Sequence, residues 1–387
     1  MKLVIPRETR AGENRVALVP ESCKKLVQAG VEVVIETGAG AAAGFLDDAY
    51  REAGAQIGTD AATALGGADI VFRVQPPGMH PTLGKHEVEL QRGGTMLLGT
   101  LYPTRNTDVV RRLVEHKLTA WATDCIPRTT RAQTMDTLSS QANISGYKGV
   151  LLAAIELGKY FPMMMTAAGT AVAARVFVVG AGVAGLQAIA TAKRLGAIVT
   201  ATDVRPEVKE QIESVGGRYV GVQTSESATD AGGYAKQLSA DYYKKQAELL
   251  GEQCAASDVV ITTALIGGVT APKLITAEMV RRMKPGAVLV DLAAEGGGNC
   301  ELTKPGETVL ENGVRIVGPL NLPGVTATHA SMFYSRNLTN FLTAFWKDKQ
   351  FNLDWNDEIL KKACITHDGA VVHEPTKNAL GAAGKPG

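Results

Sequence analysis

ARVFVVGAGVAGLQAIATAKRLGAIVTATD, residues 174–203, decides the fold. It opens with an apolar run rich in valine that ends at Gly180, as a strand buried on both faces should. Gly180, Gly182 and Gly185 follow with G-x-G-x-x-G spacing. A helical stretch then runs through Lys193-Arg194-Leu195 to a turn at Gly196, and a second apolar run ends at Asp203. Each part has a task in a dinucleotide-binding βαβ unit. Gly180 permits the tight turn, Gly182 lets the backbone approach a pyrophosphate, and Gly185 lets helix and strand pack closely. The free N–H groups of the helix start hold the anion. Asp203, 18 residues past Gly185, can accept both adenosine ribose hydroxyls, and its charge repels a 2′-phosphate. The spacing therefore favours NAD(H) over NADP(H). Val183 lines the adenosine or pyrophosphate pocket through its backbone. Arg205 has three readings: an ion pair with Asp203, a cofactor contact, or recruitment of a 2′-phosphate. A glycine-rich turn that binds nothing is the bland alternative to the whole motif.

The pattern repeats outward from this unit. AIVTATD, SDVVITTA, AVLVDLA and VRIVGPL continue the strand series to about Val317. Before it, KLVIP (from Lys2), EVVIE (from Glu32), ADIVFRV (from Ala68), TMLLGTL (from Thr95) and LTAWATD (from Leu118) read as further buried strands. Pro20-Glu21-Ser22 opens a helix that turns Cys23, Leu26 and Val27 inward and stops at Gly30. From Asp136 to about Tyr160 the pattern becomes one long helix, with Leu138, Ala142, Tyr147, Leu151, Ile155 and Gly158 near a helical period. HASMFYSRNLTNFLTAFWKD reads as a helix returning to the first domain, followed by a polar tail whose last residues, LGAAGKPG, are expected to be disordered. The expected fold is α/β, with two doubly wound parallel-sheet domains, the second a Rossmann NAD-binding domain. The first domain comprises residues 1–138 and 327–380, the second 139–326, and 381–387 form a flexible tail.

Composition narrows the class. Forty Lys plus Arg against 39 Asp plus Glu leave a net charge of +1, which gives no electrostatic footprint for nucleic acid or an anionic membrane surface. Five scattered cysteines without a C-x-x-C pair suit reduced thiols in a cytosolic protein rather than a disulfide frame or zinc site. The start MKLVIPRETR lacks the apolar core of a signal peptide, and Met163 to Leu195 is broken by Arg175 and several glycines, so a soluble chain is expected. His80, His86 and His329 read as surface or satisfied core residues, and no His, Cys or carboxylate cluster has metal-ligand spacing.

Four further segments carry a resemblance. They are IPRETRAGENRVALVP, PRTTRAQTMDTLSSQANISGYKG (Pro127 to Gly149), FPMMMTAAGT (Phe161 to Thr170) and DAGGYAK (Asp230 to Lys236). Over almost the whole chain the sequence resembles the NAD(H)-binding component of proton-translocating NAD(P) transhydrogenase, in the split form where this portion of the alpha subunit stands alone. The resemblance implies that NADH bound here passes hydride to NADP⁺ held on a partner subunit, coupled in the full complex to proton translocation. NAD(H) is then the cofactor, and NADP(H) the co-substrate on the partner. The implied partners are an NADP(H)-binding beta subunit, a small membrane alpha subunit and a second copy of the chain. The implied location is cytoplasmic, peripheral to the inner membrane through those partners.

By the same resemblance Arg128, Gln133, Asp136 and Ser139 contact the nicotinamide and its ribose, with Arg128 and Asp136 pairing to hold Gln133 at the ring. Thr129, Thr130 and Arg131 join them on the cofactor, as does Val204 beside Asp203. Without the resemblance, 128–139 reads as a polar loop with a helix cap. Tyr234 belongs to a flap freed by Gly232 and Gly233, or is an exposed loop aromatic. Gly233, Gln246 and Leu265 touch NAD by carry-over, while strand-end packing also accounts for Leu265. FPMMMTAAGT lies where the family forms a dimer contact; core packing explains its methionines nearly as well.

The sequence also resembles alanine dehydrogenase, a relative in fold, and Arg15 matches its substrate-carboxylate arginine. Its substrate lysine would fall in VFRVQPP, where this chain has Gln75, and its catalytic histidine in LLGTLYP, where there is none. An amino-acid dehydrogenase needs a proton acceptor, whereas hydride transfer between two nicotinamides needs positioning alone. A stand-alone alanine dehydrogenase-like enzyme and an NAD-binding regulatory module without chemistry are the two alternatives.

Overall fold

The computed structural model describes residues 1–222, 239–265 and 270–382. The chain forms two compact units, Met1–Gln141 with Pro323–Gly387, and Ala142–Leu322. In the first, strands β1 (Lys2–Ile5), β2 (Glu32–Glu36), β3 (Gln56–Gly58), β4 (Ile70–Arg73), β5 (Met96–Gly99) and β6 (Thr119–Ala122) alternate with helices such as Pro20–Gln28 and Thr107–Glu115. Among the described residues the sheet has eight strands, in the order Ala370–Val371, Cys364–His367, β6, β5, β4, β1, β2, β3. The six labelled strands pair in parallel; the two C-terminal strands are antiparallel. Alternate residues serve opposite faces. Leu3 and Ile5 enter one core with Tyr334 and Phe341, while Val4 enters another with Val71 and Leu113.

The second unit holds β7 (Arg175–Val179), β8 (Ile198–Thr202), β9 (Arg218–Tyr219), β10 (Val259–Thr262), β11 (Val288–Asp291), β12 (Thr308–Glu311) and β13 (Val314–Val317). Their order is β9-β8-β7-β10-β11-β13-β12, with only β12 antiparallel among the described strands. Again the faces alternate, Val176 and Val178 to one core, Phe177 and Val179 to the other. The register sets Val179 opposite both Thr202 and Thr262. The turns after β7, β8 and β10 therefore emerge together at one sheet edge.

The doubly wound α/β expectation holds, and three local expectations change. The segment after the Ala327–Ala344 helix is no polar tail: Cys364–His367 pairs with β6, burying Cys364 and Ile365, because β6 would otherwise leave an apolar edge. Leu380 to Ala382 close a helix, Glu374–Ala382; residues 383–387 lie outside those described. The long helix is Thr137–Glu156, but Tyr147 and Ile155 stand exposed. Its buried stripe is Gly146, Gly149, Val150, Ala153 and, just beyond, Leu157. Two glycines hide that stripe from any search for apolar residues. FPMMMTAAGT forms a hairpin, Met164–Thr166 with Gly169–Ala171, and Met163 and Met165 are exposed, which removes the core-packing reading.

Candidate functional site

In the second unit β7 ends in the glycine turn. Gly180 has φ +97°, a conformation that a side chain would strain, and Thr263 stands against it, donating its Oγ1 hydrogen to the carbonyls of Val179 (3.2 Å) or Gly180 (3.1 Å). Gly182 is the N-cap of the Val183–Arg194 helix, whose first turn no side chain caps. A Cβ placed on Gly182 would meet nothing within 4 Å. The backbone there is open to an approaching group, beside N–H groups that want an acceptor. Gly185 is different: a Cβ would stand 2.8 Å from the Gly180 carbonyl carbon, so its absence brings helix and strand together.

Asp203 follows β8, and its carboxylate is fully engaged. Oδ2 accepts the Ala181 N–H (2.7 Å) and Arg205 Nη2 (3.0 Å); Oδ1 accepts the Arg205 N–H (2.9 Å) and Nε (3.0 Å). This fork raises the Arg205 pKa above its ordinary value. Of the three readings of Arg205, the ion pair is the one formed here. Val204 packs with Tyr242 and Val222. Gln246 is buried within the Ala240–Ala256 helix, and Leu265, just past β10, is 40% exposed. Gly233 and Tyr234, with Gly232, lie outside the described residues.

In the first unit the segment after β6 is held from below. Ala132 and Met135 are buried in the core, leaving Gln133 exposed on the short turn Gln133–Met135. The Thr134 carbonyl accepts from Asn337 (2.8 Å) and Asn340 (3.2 Å) of the Ala327–Ala344 helix, and Ser140 Oγ donates to Asn337 Oδ1 (2.8 Å). Asp136 caps the Thr137–Glu156 helix, accepting from Ser139 N–H (2.9 Å) and Ser139 Oγ (2.6 Å). Arg131 pairs with Asp357 and lies 5.9 Å from the Phe345 ring centroid. Arg128 and Thr130 are exposed and Thr129 half-buried.

A second polar group fills the turns after β1 and β4. Arg15 is 7% exposed and forks onto Glu13 through Nε (2.8 Å) and Nη2 (2.6 Å); Gln75 donates to the same carboxylate (2.7 Å). Burial alone would lower the Arg15 pKa, but the Glu13 carboxylate outweighs it and holds it above its ordinary value. Arg73, at the end of β4, lies between Glu87 (2.6 Å) and Glu8 (3.4 Å), all three buried.

Residues 4–145 match the family described as alanine dehydrogenase/PNT, N-terminal domain, and residues 149–374 its C-terminal domain. An NAD(P) transhydrogenase alpha-subunit polypeptide of Rhodospirillum rubrum is 51% identical over 96% of this chain and 98% of its own length. A solved transhydrogenase from Sinorhizobium meliloti superposes with a TM-score of 0.86 at 45% identity, covering 96% of this chain and all of that one. The chain belongs to the alanine dehydrogenase/PNT family, among its transhydrogenase alpha subunits. An L-alanine dehydrogenase structure matches with a TM-score of 0.83 at 26% identity over 99% of both chains. The fold is thus shared by both branches, and it does not by itself tell one activity from the other.

Sequence reasoning missed the supports of this edge. Asn299 is wholly buried and brackets Ala264 like a neighbouring strand, accepting its N–H (2.9 Å) and donating to its carbonyl (2.8 Å). Asp291, also buried, accepts from Thr262 Oγ1 (2.9 Å), Cys300 N–H (3.0 Å) and Thr303 Oγ1 (2.6 Å). A lone Asn and Asp among glycines carry no spacing signal. Among the described residues no group of three His, Cys, Asp or Glu is arranged to hold a metal ion, and no helix is long and apolar enough to cross a membrane.

Proposed function

We propose that this chain is the NAD(H)-binding component of a proton-translocating NAD(P) transhydrogenase. The observation that carries the reading is the glycine turn: an open backbone at Gly182, an uncapped helix start, and the Asp203 carboxylate at the end of the next strand. These groups fit a dinucleotide. Gly182, Val183 and the helix N–H groups hold the pyrophosphate, and Asp203 accepts the ribose hydroxyls once Arg205 swings off its carboxylate. Val204, Arg205, Gln246 and Leu265 complete the nucleotide contacts, with Gly233 and Tyr234 beyond them. In the first unit, Arg128, Thr129, Thr130, Arg131, Gln133, Asp136 and Ser139 serve the nicotinamide and its ribose. Bound NADH supplies the hydride, and NADP⁺ on a beta subunit receives it. The work of Gln133, Asp136 and Ser139 is orientation, since transfer between two nicotinamides leaves no proton for a side chain to take. A small membrane subunit and a second copy of the chain complete the assembly, the exposed methionine hairpin being the surface for the copy and the partners supplying the attachment to a membrane.

Reduction of a keto acid by the chain alone is the competing chemistry. It needs a proton acceptor beside the substrate, and this chain has Gln75 and no histidine at the two places where the resemblance to alanine dehydrogenase puts that branch's substrate lysine and catalytic histidine. The test is to incubate the chain with NADH and an NADP⁺ analogue, with and without the beta subunit. Reduction of the analogue only with the partner present is expected. Oxidation of NADH by the chain alone with pyruvate and ammonia would overturn the proposal.

A further inference from the structure

The buried stripe of the Thr137–Glu156 helix contains Gly146 at a helical φ, where glycine is less favourable than alanine and no turn requires it. The space around it gives the reason. A Cβ on Gly146 would overlap the Ala184 carbonyl oxygen, and stand 2.9 Å from its carbonyl carbon and 3.0 Å from its Cα. Carbon atoms in contact sit about 3.5–4.0 Å apart, so Ala184 would have to retreat by about 0.5–1 Å. Every atom involved is backbone, so no side chain can rotate away. Ala184 lies between Gly182 and Gly185, in the first turn of the Val183–Arg194 helix. The turn has little slack against β7 either, because Gly185 is packed on the Gly180 carbonyl. One turn earlier on the long helix, Asn143 Nδ2 donates to Gln187 Oε1 at 2.9 Å, fastening the same two helices.

We propose that Gly146 is a positioning residue for the dinucleotide loop: its missing side chain lets the long helix seat the first turn of the Val183–Arg194 helix at the depth where its N–H groups meet the pyrophosphate. The inference rests on the reading of GAGVAG as the NADH phosphate loop. It assigns to a residue 34 positions upstream of Gly180 a share in phosphate binding, although it touches no ligand. The helix carries its own control. A Cβ on Gly149 would meet the far end of the Leu292 side chain (Cδ2, 2.7 Å), which can move, and not the loop.

The experiment titrates the whole chain with NADH, ADP and adenosine in wild type, Gly146→Ala and Gly149→Ala, with circular dichroism to establish the fold. Gly146→Ala should weaken NADH and ADP by about tenfold or more, the effect of losing one charge-assisted hydrogen bond, and leave adenosine within about twofold. Gly149→Ala should leave all three ligands within about twofold. A merely structural role would weaken the three ligands together, and that result, or wild-type affinities in Gly146→Ala, overturns the proposal. Should Gly146→Ala fail to fold, Asn143→Ala replaces it. A rise of about threefold in the dissociation constants of NADH and ADP with adenosine unchanged supports the role, and unchanged NADH and ADP refute it. If wild type bound neither NADH nor ADP, the phosphate-loop reading itself would fall, which is a separate outcome.

Discussion

Two sheets in this chain reverse their strand order, β1 against β4 in the first unit and β7 against β10 in the second. Such a reversal opens a crevice at the carboxyl ends of the strands, where α/β proteins bind ligands. The first crevice is filled from within. Arg73 is 1% exposed between Glu8 and Glu87, and Glu8 also accepts the N–H groups of Val74 (2.7 Å) and Gln75 (3.2 Å). The second is left open at Gly182, and its helix start is uncapped. One topology thus yields a sealed ionic plug in one place and an anion cradle in the other. The difference lies in side-chain volume and charge at the strand ends, not in the arrangement of strands.

The plugged crevice carries the largest expected effect. Arg73→Met leaves Glu8 and Glu87 buried without a cation, and should cost about 3–5 kcal/mol of stability in a thermal or denaturant melt. NADH affinity at a temperature where the variant is folded should stay within about twofold. Loss of NADH binding by the folded variant would break the separation of the two crevices. Gln133→Asn comes next. It shortens the side chain by one methylene, and should slow hydride transfer in the assembled enzyme by about a hundredfold with little change in NADH affinity. Normal turnover with weakened NADH would contradict a positioning role. Asp203→Ala is the smallest of the three, raising the NADH dissociation constant by about tenfold through loss of the ribose acceptor. An unchanged titration would show that Arg205 keeps the carboxylate in the complex.

Much of the fold was legible because strands buried on both faces advertise themselves as unbroken valine, isoleucine and leucine runs. EVVIE, TMLLGTL and VRIVGPL each contain the strand the structure forms. Gln56–Gly58 and Arg218–Tyr219, three and two residues long at sheet edges, offered no such run. Cys364–His367 was unreadable for another reason, since its role depends on β6, more than 200 residues away. At the site, glycine spacing predicted a turn and helix start at Gly180 to Gly185, where the structure has them. What spacing could not carry was occupancy. Asp203 is saturated by Arg205 and Ala181, Arg131 is committed to Asp357, and Arg15 to Glu13. Each depends on a rotamer choice that only the folded neighbours make. Gly146 escaped notice because absence of a side chain is invisible to a hydrophobic pattern.

The second crevice has to accept a dinucleotide whose adenosine ribose bears free hydroxyls. Parallel calorimetric titrations of the purified chain with NADH and NADPH address it most directly. One site per chain should appear, at least about tenfold tighter for NADH, because a 2′-phosphate would face the Asp203 charge. Equal or tighter binding of NADPH would contradict the account.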